Sequence, residues 1–208
     1  MSWIGHQFKL AHEFYRDHIA RRFLIALAVF LVLSAGCYFA LRAMPEQAQR
    51  IFDQFSKLVK ELGVSEDGSV SWLAILGNNA RSAALSVAFG LLPFLFLPVV
   101  PLVVNAVVIG GVLAVVGAKG VSVTALIVRG LLPHGVFEIP AIMLAVAAGM
   151  WLCRNMCRTV LRRDGAVPLE RALPALLRFY LCIVLPLLVV AALIEGFVTP
   201  LLLRGVTG

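Results

Sequence analysis

The sequence contains apolar runs that are too long for the core of a water-soluble domain. Phe23 to Leu41 is an apolar stretch of 19 residues, enough at about 1.5 Å per residue to cross about 30 Å of hydrocarbon. Only 14% of the residues are charged and 61% are hydrophobic, whereas a soluble domain is about one quarter charged. Such a chain cannot cover its core with polar surface. The composition therefore predicts an integral membrane protein and excludes a soluble enzyme.

The basic residues and cysteines do not indicate a nucleic-acid or metal-binding domain. The net charge is +7, but the basic residues are scattered and are not interleaved with aromatic residues as in a nucleic-acid surface. Cys153 and Cys157 lack the second pair that a structural zinc site needs. The sequence also has no nucleotide motif or nucleophile triad. We therefore expect no nucleic-acid partner, no cofactor, no metal and no catalytic residue.

Further apolar runs predict an all-α membrane bundle of about five transmembrane segments. Residues 80–117 are almost continuously apolar, but three prolines interrupt them between positions 93 and 101. This region crosses either as two proline-kinked helices or as a re-entrant hairpin shielded by its neighbours. The remaining elements are a short non-spanning segment at Val121–Leu132 and two spans at Gly135–Cys153 and Ala175–Ile194.

Two arginine-rich regions predict the orientation of the chain. Residues 1–22 carry four Lys and Arg residues, and the island 154–178 carries six arginines against two acidic residues. The positive-inside rule places both regions in the cytoplasm. We therefore expect a cytoplasmic segment at 1–22, a single membrane domain at 23–203 and an extracytoplasmic C-terminus. Within residues 46–62, apolar side chains recur every three or four positions, which predicts an extracytoplasmic amphipathic helix.

Five ionisable residues interrupt the apolar segments, although each costs at least about 2.5 kcal/mol near the bilayer centre. In the predicted topology all of them lie toward the outer half of the membrane, where they could converge. His134 and Glu138 share one helical face, and nearby prolines indicate a helix start that favours a carboxylate. This predicted intramembrane polar cluster consists of Arg81, Arg129, His134, Glu138 and Glu195.

Three roles for this cluster remain open. Glu138 can pair with Arg81 or Arg129 and lock the bundle, or His134 and Glu138 can relay a proton. A metal site is the weakest alternative, because these two residues supply only two ligands. A second set of residues is predicted to support helix packing or to line a cavity with polar groups: Asn78, Asn79, Asn105, Gly110 and Gly135.

Several of these segments resemble the stage II sporulation protein M family. The resemblance covers about residues 70–203, with Ala106 departing from a position that is usually glycine. The similar segments are Gly77-Asn78-Asn79-Ala80-Arg81, Asn105 with Gly110, His134-Gly135-Val136-Phe137-Glu138-Ile139-Pro140-Ala141, Ala148-Gly149, and Ile194-Glu195-Gly196-Phe197-Val198-Thr199-Pro200.

The resemblance implies a polytopic protein of the bacterial or archaeal plasma membrane. In spore formers the family member holds peptidoglycan-degrading partners at the septal membrane during engulfment, and many relatives occur in organisms that make no spores. We therefore expect a non-enzymatic scaffold or assembly factor with envelope protein partners. The alternative is a small transporter or channel that uses the polar cluster. A homo-oligomer is compatible with both.

Overall fold

The computed structural model describes residues 2–50, 53 and 71–203, and the described part is helical without strands. This confirms the predicted all-α bundle. Four helices are long and apolar enough to cross a membrane, and a shorter helix, α2, precedes the second of them. In chain order the helices are α1 (Trp3–Arg42), α2 (Trp72–Ala88), α3 (Leu97–Ala118), α4 (Val123–Val160) and α5 (Leu169–Leu202).

Helix α1 joins the predicted cytoplasmic segment to the first span without a break. Ser2 begins the helix, because its hydroxyl oxygen accepts a hydrogen bond from the Gly5 amide at 3.2 Å. A π-helical segment, Tyr15–Ile19, lies inside it. The 40 residues of α1 extend about 60 Å, roughly twice the thickness of the hydrocarbon layer. Residues 45–50 form a further helical stretch, and most of the predicted amphipathic helix at 46–62 lies outside the described residues.

Helices α2 and α3 form a hairpin along the bundle. At its open end, Trp72 packs directly against Gly196 of α5. At its turn, the Phe94 amide donates to Cys157 Sγ at 3.2 Å, near the C-terminal end of α4. The hairpin therefore extends from the level of Gly196 to that of Cys157, and of its two legs α3 is among the helices long and apolar enough to cross a membrane. Its first leg is longer than the apolar run because α2 begins at Trp72 and includes the polar residues that precede the run.

Helix α4 is continuous across the region where the sequence predicted two segments. The expectation of a short separate segment at Val121–Leu132 is wrong. Ser122 caps the helix by accepting from the Ala125 amide at 3.2 Å, and the π-helical segment Leu126–Leu131 leads directly into Leu132–Val160. The predicted helix start at Pro133 is therefore also wrong. A π-helical turn changes the local hydrogen-bond register, so the missing proline N–H does not end the helix there.

The centre of the bundle is closed by helix contacts at glycine. Every residue from 141 to 149 of α4 is buried. A Cβ atom added at Gly149 would lie 2.1 Å from the Ser86 carbonyl oxygen of α2, and one added at Gly110 of α3 would lie 2.6 Å from the Ser34 carbonyl oxygen of α1. Because glycine carries no side chain, the backbones of these helices approach each other directly.

The two arginine-rich regions lie at the same end of the bundle. Near the start of α5, Arg178 Nε donates to Gln7 Oε1 of α1 at 2.7 Å. The Phe14 ring packs edge-on against Trp151 of α4, with ring centroids 5.0 Å apart, and lies 5.8 Å from the Phe179 ring of α5. We call this the arginine-rich end. This arrangement is the one that a shared cytoplasmic location requires, and the side of the membrane on which it lies remains a prediction.

Candidate functional site

The structure brings three of the five predicted ionisable residues together. His134 and Glu138 lie one turn apart on α4, with His134 Nε2 3.8 Å from Glu138 Oε2. Glu195 comes from the π-helical segment Ile194–Val198 of α5. One ligand atom from each of these residues lies within 4.8 Å of the other two. We call these three residues the His/Glu/Glu cluster.

Thr199 orients the imidazole of His134. The Thr199 hydroxyl donates to the Ile194 carbonyl oxygen at 3.3 Å, and its oxygen lies 3.4 Å from His134 Nδ1. Because the hydroxyl has one proton, this arrangement assigns a proton to Nδ1 and leaves Nε2 facing Glu138. A favourable contact at Nε2 then requires a proton either on the imidazole or on the carboxyl group. At 3.8 Å the two atoms are close enough for an ion pair but too far apart for a hydrogen bond.

Asn79 is the polar residue of α2 that joins the cluster. Its side-chain amide hydrogen-bonds to the Glu138 carboxyl group, whereas the neighbouring Asn78 is exposed. Arg81 follows Asn79 by two residues, which is about 200° around a helix, and its side chain is exposed. Arg129, in the π-helical segment of α4, is exposed as well. The buried part of the predicted cluster therefore consists of two carboxyl groups and one imidazole, and neither arginine is buried within it.

A cavity of about 180 Å³ lies against the His/Glu/Glu cluster. Asn105 of α3 also lines it, and the Asn105 amide donates to the Pro101 carbonyl oxygen at 2.8 Å. This volume is large enough to hold water. Gly135 does not line this cavity but lines a neighbouring apolar groove. A Cβ atom added there would meet Leu131 and Ile139 at ordinary contact distances.

The cluster has the composition of a proton- or cation-binding site. Two carboxylates held close together in an apolar environment repel each other unless they share a proton or bind a cation. One imidazole and two carboxyl groups are also ligands that zinc and other divalent transition metals accept. The sequence supplied only two of these ligands at helical spacing, because Glu195 follows His134 by 61 residues and only the fold brings it near.

Thr199 was not singled out as a site residue in the sequence. The only signal for it was its place in the segment Ile194–Pro200, which carries part of the family resemblance. Its role depends on the π-helical turn at Ile194–Val198, which changes the direction of side chains along α5. Thr199 lies on α5 and His134 on α4, so only the packing of the two helices brings them together.

Comparison with known proteins identifies the family. The model of the family described as Stage II sporulation protein M matches residues 23–200, which include the His/Glu/Glu cluster, Asn79 and Asn105. No curated protein and no solved structure gives a significant match. The match covers most of the chain, and the apolar helices agree with it. The chain therefore belongs to the stage II sporulation protein M family of membrane proteins.

Proposed function

We propose that this protein is a scaffold or assembly factor in a bacterial or archaeal plasma membrane. It would hold envelope proteins that remodel peptidoglycan, as the family resemblance implies. Its N-terminus would be cytoplasmic and its C-terminus extracytoplasmic, because two arginine-rich regions share one end of the bundle and the positive-inside rule assigns that end to the cytoplasm.

The close packing in the centre of the bundle carries this proposal. The cavity at the His/Glu/Glu cluster is lined along α4 only as far as Met143, and α4 remains buried onward to Gly149. A Cβ atom added at Gly90 would lie 2.4 Å from the Gly149 carbonyl oxygen, so the hairpin turn also presses on α4 there. A solute pathway between the cavity and the arginine-rich end would have to separate these backbones. A rigid, closed bundle suits a protein that positions partners.

A small oligomeric transporter is the second candidate, and the polar cavity favours it. Broken helices and buried carboxyl groups usually line a cavity or an ion pathway in membrane proteins. In this alternative, His134, Glu138 and Glu195 would exchange a proton or a cation, and the contacts at Gly149 would open during transport. The two candidates therefore differ in whether the charge of Glu138 is needed for function.

The substitution Glu138→Gln separates the two candidates. Glutamine keeps the shape of the side chain and can still hydrogen-bond to Asn79, but it cannot exchange a proton. Loss of the charge-assisted contact between Glu138 and His134 would reduce the free energy of unfolding by about 1 kcal/mol. Glu170→Gln is the matched control, because Glu170 is exposed at the start of α5. Both variants are compared in detergent for expression and thermostability before any functional assay.

Two functional assays then test the proposals. In host cells that lack the gene, fluorescent D-amino acids report the pattern of peptidoglycan synthesis. A scaffold requires that the pattern change on deletion and be restored by the wild type, Glu138→Gln and Glu170→Gln alike. In liposomes with a pH-sensitive dye inside, transport requires proton flux by the wild type and Glu170→Gln but not by Glu138→Gln. An unchanged pattern in the deletion strain would overturn the scaffold proposal.

A further inference from the structure

A second groove, distinct from the His/Glu/Glu cavity, opens at the arginine-rich end of the bundle. It lies between α1, the start of α3 and α4 and has a volume of about 500 Å³. Small and branched apolar residues, Ala26, Val146 and Ala147, form its buried floor. Two exposed α1 side chains, Ile25 and Val29, stand on its rim. The groove is therefore apolar and open to the surroundings of the bundle.

Arginines stand at one end of this groove. Arg22 and Arg154 both line it, and a guanidinium N–H of Arg22 donates to the His18 carbonyl oxygen, which fixes its direction. The charged groups that act most strongly on Arg22 are also arginines, namely Arg154, Arg158 and Arg21. Like charges close together repel each other, although Arg154 is exposed and Arg22 is only half-buried. A bound anion would relieve this repulsion.

We propose that this groove binds an anionic phospholipid. The phosphate would bind between Arg22 and Arg154, since guanidinium groups match the geometry of phosphate oxygens. One acyl chain would lie along the floor. The distance along α1 from Arg22 to Val29 is about 10 Å, which accommodates part of such a chain. Basic pockets between transmembrane helices on the cytoplasmic side are typical binding places for anionic lipid headgroups.

A neighbouring apolar groove provides an internal comparison. It lies between α1, α3 and α4 on the side of Gly135, has a volume of about 600 Å³, and is lined by uncharged residues only. This uncharged groove can take hydrocarbon of any lipid, whereas the groove lined by Arg22 and Arg154 distinguishes lipids by headgroup charge. The charge at the mouth, and not the apolar lining, therefore carries the predicted selectivity.

The first test measures lipid binding by native mass spectrometry of the full chain in detergent. Phosphatidylglycerol and phosphatidylcholine with identical acyl chains are titrated separately. The proposal requires the wild type to bind phosphatidylglycerol about tenfold more tightly, because both lipids carry the phosphate but the choline ammonium of phosphatidylcholine cancels its charge and is repelled by the two arginines. Equal binding of the two lipids by the wild type would overturn the proposal, and this result needs no variant to fold.

Charge-matched variants locate the site. Arg22→Gln combined with Arg154→Gln removes the two arginines that line the groove, and the preference for phosphatidylglycerol should disappear. Arg162→Gln combined with Arg163→Gln removes the same charge from two exposed residues of the 161–168 loop and should keep the preference. If the two double variants behave alike, net charge and not this groove selects the lipid, and the proposal is wrong.

A pair of tryptophan variants tests the acyl-chain part of the site. Val29→Trp fills the rim of the groove, whereas Val32→Trp places the same bulk on a 72% exposed α1 residue outside it. Only Val29→Trp should weaken phosphatidylglycerol binding. Glycerol phosphate is the headgroup-only probe. If it competes as well as the intact lipid, the arginines bind a free phosphate and the groove takes no acyl chain, which would contradict the proposal.

Discussion

Substitution of Gly149 by alanine tests whether close contact between α2 and α4 holds the bundle together. An added Cβ atom would lie 2.1 Å from the Ser86 carbonyl oxygen and 2.8 Å from Pro98 Cβ. Carbon atoms pack without repulsion only at about 3.5–4 Å. The nearest obstacle is backbone, which cannot rotate away, so α2 must move from α4 by about 1 Å or more.

The magnitude follows from two opposing effects. Overpacking in a well-packed core costs about 1–3 kcal/mol, and a gap of about 1 Å forfeits up to about half of the dispersion energy of each contact along the interface. The higher helix propensity of alanine raises the free energy of unfolding by at most about 1 kcal/mol relative to glycine. We therefore expect Gly149→Ala to reduce the free energy of unfolding by about 1–2 kcal/mol, an apparent Tm loss of roughly 2–8 °C for a chain of this size.

Gly135→Ala is the matched control on the same helix. An added Cβ atom there meets only the Ile139 and Leu131 side chains, at 3.5 Å and 3.6 Å, so the gain in helix propensity should remain and the Tm should stay equal or rise. Both variants are purified in the same detergent, and unfolding is followed by the loss of monodisperse protein in size-exclusion chromatography after heating. If Gly149→Ala melts at the same temperature as Gly135→Ala, the contact with Ser86 does not limit packing and the reasoning fails.

Two further predictions concern the arginine-rich end. The buried Asn155 side chain donates to the Val167 carbonyl oxygen and accepts from the Val167 amide, both at 2.8 Å. Asn155→Ala should therefore reduce the free energy of unfolding by about 2 kcal/mol and speed trypsin cleavage in the 161–168 loop. Asn78→Ala, at an exposed position, is the control. Equal cleavage rates would show that other contacts hold the loop. In a background without the four native cysteines, a membrane-impermeant thiol reagent applied to whole cells should label Ser71→Cys but not Asp164→Cys, and the reverse pattern would invert the topology.

The apolar runs predicted most of the helical bundle because hydrophobic length is a strong local signal. They predicted only the second half of α2, because its first half, which carries Asn78 and Asn79, precedes the apolar run at 80–117. They also divided α4 at Pro133, although the helix continues through Leu126–Leu131. Both differences have one cause: a helix that packs against neighbours can tolerate polar residues and missing N–H groups, and the neighbours are not visible in local sequence.

The candidate site was predicted in part for a related reason. His134 and Glu138 are four residues apart, so any helix brings them together. Glu195 and Asn79 come from other helices, and only the fold places them beside Glu138. Arg81 was expected to meet the other ionisable residues because of its position along the chain. That position indicates the depth of a residue in the membrane, but not the direction in which its side chain points around the helix. Direction depends on the rotation of α2 against α4, which pack closely where Ser86 meets Gly149.

This contact connects the packing of the bundle with the chemistry of its polar site. Asn79 lies seven residues before Ser86 on α2, close to two full helical turns, so both residues face α4. A shift of α2 that relieves a clash at Gly149 would also move Asn79 away from Glu138. The carboxyl group would then lose its amide donor while remaining beside Glu195. The close packing at Gly149 and the polar partner of Glu138 therefore depend on the position of one helix, α2.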